Sequence, residues 1–242
     1  MRPKELLESY RGTMFEDADG YQYEMELRPG LSPADIRAFE EQLPGPLSEG
    51  IRELLAYSSG IDGLVFDTID FRGRLEFEYR DVFPAGLPIA SDGTGNFVVL
   101  DVHPDAVEWG AVYFACHDPP VITFVAQNLS GFLDASLSFD RGLPVDEDNP
   151  VRRATGEGAF DVWRDEPDMM SRRRAHASDD PTLSEFAAAL DDRFDVCDLR
   201  QAQPGQGFAW GRAGPDTEVI RCGTAPIFAV EQKGWLRRLL GL

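Results

Sequence analysis

Lysine is nearly missing from this chain of 242 residues: two of its 23 basic side chains are lysine, and 43 aspartates and glutamates bring the formal net charge to −20. A surface so poor in cations cannot gather a phosphate backbone, which excludes nucleic-acid binding through phosphate contacts. No uncharged apolar run reaches the ~18 residues of a membrane span. Residues 1–30 hold no apolar stretch of the secretory kind, so neither a signal peptide nor a transmembrane helix is expected. Cysteine is scarce too. Cys116, Cys197 and Cys222 are odd in number and far apart, without a C-x-x-C pair, which argues against a disulfide framework or zinc knuckle and points to a reducing cytoplasm. The signatures G-x-S-x-G, S-x-x-K and H-E-x-x-H are missing as well, so no nucleophilic or zinc-protease chemistry is expected.

What is present suffices for a folded body. At 43% hydrophobic and 11% aromatic, the chain can bury enough apolar surface to exclude disorder throughout. Its acidity is unevenly spread. Residues 31–140 hold 18 acidic side chains against 5 basic ones, whereas residues 182–242 hold 8 against 7. Between Arg80 and Arg141 no lysine or arginine occurs, yet Asp81, Asp92, Asp101, Asp105, Glu108, Asp118, Asp134 and Asp140 all fall there. Such a segment is either a surface charged for solubility or a field that draws in a basic protein.

Local patterns place the elements. An N-terminal arm, 1–30, ends in Tyr21, Tyr23, Met25 and Leu27 alternating with polar residues behind an Asp19-Gly20 turn, which reads as a half-buried strand. Ser32, Pro33 and Asp35 open a helix whose face carries Ile36, Phe39 and Leu43. A second helix carries Ile51, Leu54, Leu55 and Ser58, with Gly60 as its left-handed cap. Strands are expected over 64–69, 75–79, 88–90, 97–102, 111–116 and 121–126, with tight connections at 91–96 and 117–120. Asn128 or Ser130 caps a closing helix that buries Phe132, Leu133 and Leu137. The fold class is therefore α+β: a helix pair packed on a mostly antiparallel sheet, closed by a helix, over 31–140. Residues 141–181 read as a polar linker or crossover. Residues 182–242 read as an α+β extension, with a Thr182–Glu185 capping box, a hairpin of 208–212 with 217–221, and helical turns over Trp235–Leu240.

The order of these features, over residues 31–137, resembles the SUKH superfamily, which comprises Smi/Knr-type cell-wall-assembly regulators and bacterial immunity proteins. The resemblance rests on a helix running into Leu43-Pro44, a second helix ending at Ser58-Ser59-Gly60, the Asp92-Gly93-Thr94-Gly95-Asn96 turn before an apolar strand, and the Ser130–Leu133 helix start. It implies a SUKH-like fold, no catalytic residues, no cofactor, and a protein partner. Bacterial members are associated with binding nuclease- or deaminase-type toxins, and fungal members with regulatory scaffolding, which is the alternative reading. The N-terminal arm and the roughly hundred residues after the closing helix depart from a minimal member; that extension is part of the domain, a partner-specific lid or a second small domain.

Three stretches carry candidate chemistry. Gly93-Thr94-Gly95 precedes a strand and no lysine follows, so a turn with Asp92 or Asn96 bonding the local backbone is expected rather than a phosphate loop. Asp101, His103, His117 and Asp118 are the one metal-like constellation, but strand-end and turn positions explain them, and no metal is expected. Cys116 sits in an apolar strand run, where an inert structural thiol is expected. The residues expected to meet a basic partner are the polar ones at turns and strand ends: Asp62, Asp67, Asp70, Asp92, Asn96, Asp101, Glu108 and Asp118.

Overall fold

The structure is a computed structural model that describes residues 1–242 except 17–19, 65, 67, 78, 105–108, 141–146, 215 and 233–242. Helix α1 (Pro3–Ser9) leads into a small hairpin, β1 (Met14–Glu16) with β2 (Gln22–Glu24), and then β3 (Glu26–Pro29). Helices α2 (Pro33–Glu40) and α3 (Glu49–Tyr57) follow. Each starts on a serine, because a serine hydroxyl satisfies a backbone N–H that the first turn leaves unpaired. Ser32 Oγ accepts from Asp35 N at 3.2 Å, and Ser48 Oγ from Ile51 N at 3.3 Å.

Next come β4 (Ser58–Asp62), β5 (Thr68–Asp70), β6 (Gly86–Ser91), β7 (Phe97–Asp101), β8 (Val112–His117) and β9 (Pro120–Ala126), and then helix α4 (Leu129–Asp140), which buries Phe132, Leu133 and Leu137 as expected. Asn128 Oδ1 accepts from Gly131 N at 2.9 Å at its start. Helices α5 (Pro150–Ala154) and α6 (Glu157–Asp165) occupy part of the stretch read as a linker or crossover. They are followed by β10 (Met169–Ser171), α7 (Arg172–His176), α8 (Pro181–Ala188), β11 (Phe194–Asp198), β12 (Gly207–Ala209), β13 (Val219–Arg221) and β14 (Ile227–Glu231).

An antiparallel eight-stranded sheet runs in the order β12-β9-β8-β7-β6-β5-β4-β3, and a four-stranded one in the order β10-β11-β14-β13. Side chains alternate across a strand, and here both sets are apolar. Val98, Leu100, Val112, Phe114, Cys116, Val121 and Val125 join the core with α1 to α6. Val99, Tyr113, Ala115, Ile122 and Phe124 turn the other way and pack on Phe208, Cys197, Phe228 and Val230, so the four-stranded sheet covers the back of the large one. Its outer face, Val196 and Ile227, is covered by Ala175, Leu183 and Ala187 of α7 and α8. The layers thus run helix, sheet, sheet, helix.

Several local expectations are corrected. The second helix ends at Tyr57 and Gly60 lies within β4, where a Cβ would stand 2.3 Å from Ile69 O; close strand approach requires that glycine. Of the described residues of 64–69, Thr68 and Ile69 alone are in a strand, and none of the described residues of 75–79 is. Phe77 and Tyr79 pack instead as an aromatic cluster with Phe97 and Trp210, centroids 5.1 to 6.5 Å apart. The α8 cap is Asp180, whose Oδ1 accepts from Leu183 N at 2.9 Å, rather than a Thr182 box. Residues 208–212 and 217–221 do not pair with each other: β12 adds to β9 and β13 to β14. At Gly207 a Cβ would meet Ile122 O at 2.0 Å, so only glycine lets β12 seat at this edge. The expected turns at Trp235–Leu240 lie outside the described residues.

One ion pair spans the two sheets. Arg221 of β13 donates to Asp101 of β7 through both terminal nitrogens, at 2.9 and 2.6 Å, with side chains only 7% and 11% exposed. The guanidinium also lies 5.9 Å from the Phe83 ring centroid and 5.5 Å from that of Phe228. Removing one member of such a buried pair strands the other charge. Arg221→Ala is therefore expected to lower the unfolding free energy in urea by about 3–5 kcal/mol, and the Asp101→Leu/Arg221→Met double variant to recover most of that loss. A double variant no more stable than the single one would show that the two do not act as a unit.

Candidate functional site

Antiparallel pairing puts the β6–β7 and β8–β9 connections at the same end of the large sheet, since Phe97 stands opposite Ala115. The 92–96 turn is built by its own side chains. Gly93 and Gly95 take φ of 73° and 97°, a left-handed backbone that favours glycine. Asp92 Oδ1 accepts from Thr94 N at 2.9 Å and from Asn96 N at 3.3 Å, and Asp92 Oδ2 from Asn96 Nδ2 at 2.6 Å. Burial pushes the Asp92 carboxyl up, but the hydrogen bonds from Asn96 and Thr94 outweigh it and hold the group below the usual carboxylate range. Asn96 Oδ1 then accepts from His117 N at 2.9 Å, which locks this turn onto the next. Trp210 secures the far side, its indole N–H donating to Cys116 O at 3.1 Å.

Under the two turns lies a pocket of about 340 Å³. Asp92, Asn96 and Asp118 form part of its rim, Phe66, Phe114 and Cys116 its inner wall, and Phe139, Val151, Ala159 and Phe160 the wall opposite. The last three come from α5 and α6, and hydrogen bonds tie α5 in place. Asn149 Oδ1 accepts from Val151 N at 2.9 Å while its Nδ2 donates to Ala135 O at 2.9 Å, and Thr123 Oγ1 donates to Ala154 O at 2.6 Å. Phe160 is 54% exposed, one of few large apolar side chains left so open among the described residues. Burial pushes the Cys116 thiol up, which disfavours its reactive thiolate form.

The residues expected to meet a partner thus divide. Asp92, Asn96 and Asp118 come together at this tip, and among the described residues no arginine or lysine pairs with either aspartate. Asp62 is held by Arg28 through two bonds of 2.8 Å and by Thr68 Oγ1 at 2.7 Å. Asp70, 6% exposed, is ringed by Arg28 at 3.5 Å, Arg72 at 3.2 Å and Arg74 at 2.7 Å. Asp101 belongs to the inter-sheet pair. All three carboxylates are paired within the fold, Asp70 and Asp101 buried and Asp62 half-buried. Asp67 and Glu108 lie outside the described residues. Among the described residues no three of His, Cys, Asp and Glu converge as a metal-ligand set.

Phe139, Val151, Ala159 and Phe160 were missed by sequence reasoning. The available signal was helical spacing within a polar stretch: Ala159 and Val162, three apart, turn inward, which leaves Phe160 off the buried face of α6.

The model of the SMI1/KNR4 family (SUKH-1) matches residues 30–135, a little under half of the chain. This segment belongs to the SUKH superfamily. No curated protein and no solved structure matches the chain. The SUKH segment supplies the rim and inner wall of the pocket; Val151, Ala159 and Phe160 follow it in sequence. Membership supports a family-level role through protein–protein interaction. No helix among the described residues is long and apolar enough to cross a membrane.

The Asp70 cluster makes acid stability a test of the internal pairs. Burial pushes the Asp70 carboxyl up, yet hydrogen bonds from Arg72 and Arg74 bring it below its usual value. A carboxyl that titrates lower when folded contributes fully above its unfolded value of about 3.9 and loses that contribution as pH falls through the folded one. Thermal melts of Asp70→Asn should accordingly show a loss at pH 7 of about 2–4 kcal/mol, and a gap to the unaltered protein that narrows below pH ~4. A gap that stays constant down to strongly acid pH would remove Asp70 from the groups that set acid stability.

Proposed function

We propose that this chain is a non-catalytic protein-binding module of the cytoplasm that takes a basic partner at the tip of its large sheet. In this reading it is an immunity protein that occludes a nuclease- or deaminase-type toxin domain. The observation that carries it is the segregation of carboxylates. Asp62, Asp70 and Asp101 are consumed by arginines within the fold, while Asp92 and Asp118 stand exposed, with no cationic partner among the described residues, beside an apolar pocket and an exposed phenylalanine. A small apolar centre ringed by charge is the anatomy of a protein-binding surface, with the charges steering encounter and the apolar residues holding the complex.

The test is association with the toxin domain encoded beside its gene, followed by stopped-flow fluorescence. The on-rate is expected to fall on the order of tenfold or more between about 50 mM and about 500 mM salt. Asp92→Lys/Asp118→Lys should slow it by a similar factor and abolish protection of cells that express the toxin. An on-rate indifferent to both salt and charge reversal would sink the electrostatic reading. A neighbourhood without any toxin gene would turn it towards the regulatory scaffold.

A further inference from the structure

We infer that the pocket beneath the two turns is the receptor for a single arginine side chain projecting from the partner, and that α5 and α6 select for it. The inference rests on the proposed partner-binding reading and adds to it the residue that anchors the complex.

Volume narrows the occupant first. At about 340 Å³ the pocket lies at the lower end of small-molecule sites, the size of one long side chain rather than of a nucleotide. Charge narrows it next. Asp92 is held ionised by its hydrogen bonds, Asp118 is exposed beside it, and no cation of the chain neutralises either among the described residues, so the rim repels anions and favours a cation. The walls decide between the two cationic side chains. Phe66, Phe114, Phe139 and Phe160 give it an aromatic lining. A guanidinium is planar, weakly hydrated and packs well against aromatic rings while its several N–H groups reach separate acceptors, whereas an ammonium is a strongly hydrated point charge. Asp92, whose Oδ2 also holds Asn96 Nδ2 at 2.6 Å, and Asp118 bring carboxylates from two different turns to the lining, where a forked donor finds acceptors.

The pocket is also divided in sequence. Its acidic rim lies within residues 30–135, but Val151, Ala159 and Phe160 come from beyond that segment. The rim alone would attract any basic surface. The wall added by α5 and α6 turns attraction into a shaped socket, and rejects partners that present charge without an arginine at this spot.

Amide chemical shifts of the full chain, titrated with N-acetyl-argininamide, read the site directly. Saturable shifts are expected at Asn96, Cys116, Ala159 and Phe160, with a dissociation constant of about a millimolar, as suits so small a ligand. The citrulline analogue, which keeps the shape but lacks the charge, should bind about tenfold more weakly, and the lysine analogue several-fold more weakly. Phe160→Ala and Asp118→Asn, both at exposed positions, should each weaken the arginine probe several-fold while leaving distant resonances unmoved. Because the three probes are compared on the unaltered protein, the result does not depend on either variant folding. Equal binding of arginine and citrulline probes, shifts located elsewhere, or no saturation overturns the inference. Salt-dependent toxin binding that needs Asp92 and Asp118 but survives Phe160→Ala would also overturn it while leaving the partner-binding reading intact. A probe that enters the pocket when no toxin domain binds would do the reverse.

Discussion

The central strands of the large sheet are apolar on both faces, and the rest of the structure follows from that constraint. Strands of the Phe97–Asp101, Val112–His117 and Pro120–Ala126 kind leave no side to water, so two covers are needed. Helices α1 to α6 supply one. The other is the four-stranded sheet, which begins only at Met169, well after β9 ends at Ala126, with β12 inserted beside β9 on the way. The extension is therefore structurally continuous with the SUKH segment: it finishes its sheet and seals its back. Arg221 makes the same point in charge, because the carboxylate of Asp101 is tolerable at that depth only with a cation delivered from the second sheet.

This architecture sorts the acidity of the chain. Carboxylates near the sheet's interior and its β3–β5 side are matched by arginines, some of them distant in sequence, as with Arg28 for Asp62 and Arg221 for Asp101. Those at the sheet's tip are matched by nothing among the described residues, and the two turns that carry them are stitched together by Asn96 and His117. Charge attraction and the apolar pocket consequently occur at one place. A partner drawn to Asp92 and Asp118 meets the socket they border, which is how steering and anchoring are combined in protein recognition.

Much of the local structure was legible because short-range chemistry decides it. Ser32 caps α2, the glycines of the 92–96 turn take positive φ, and Phe132, Leu133 and Leu137 face the core, each for reasons confined to a few neighbouring residues. The misreadings share one cause. Gly60, residues 75–79 and the presumed 208–221 hairpin all carry signals that two structures satisfy equally, and a distant strand chose between them. Phe77 and Tyr79 alternate as a strand would, yet the ladder beside β5 is taken by β6, and their rings pack in an aromatic cluster instead.

The sequence by itself determined the fold class, the two capped helices, the apolar strands, the acidic segment and the likeness to the SUKH superfamily, since these are carried by periodicity, composition and the order of turns. Tertiary structure alone decided which carboxylates are free. Asp101 and Asp92 look alike in sequence, both acidic, at strand ends and within a stretch empty of cations. One meets Arg221, 120 residues further on, and the other, among the described residues, meets its own turn and the mouth of a pocket. The difference arises because ion pairing and pocket walls depend on distance through space, which the chain sets only when its second sheet closes over the first.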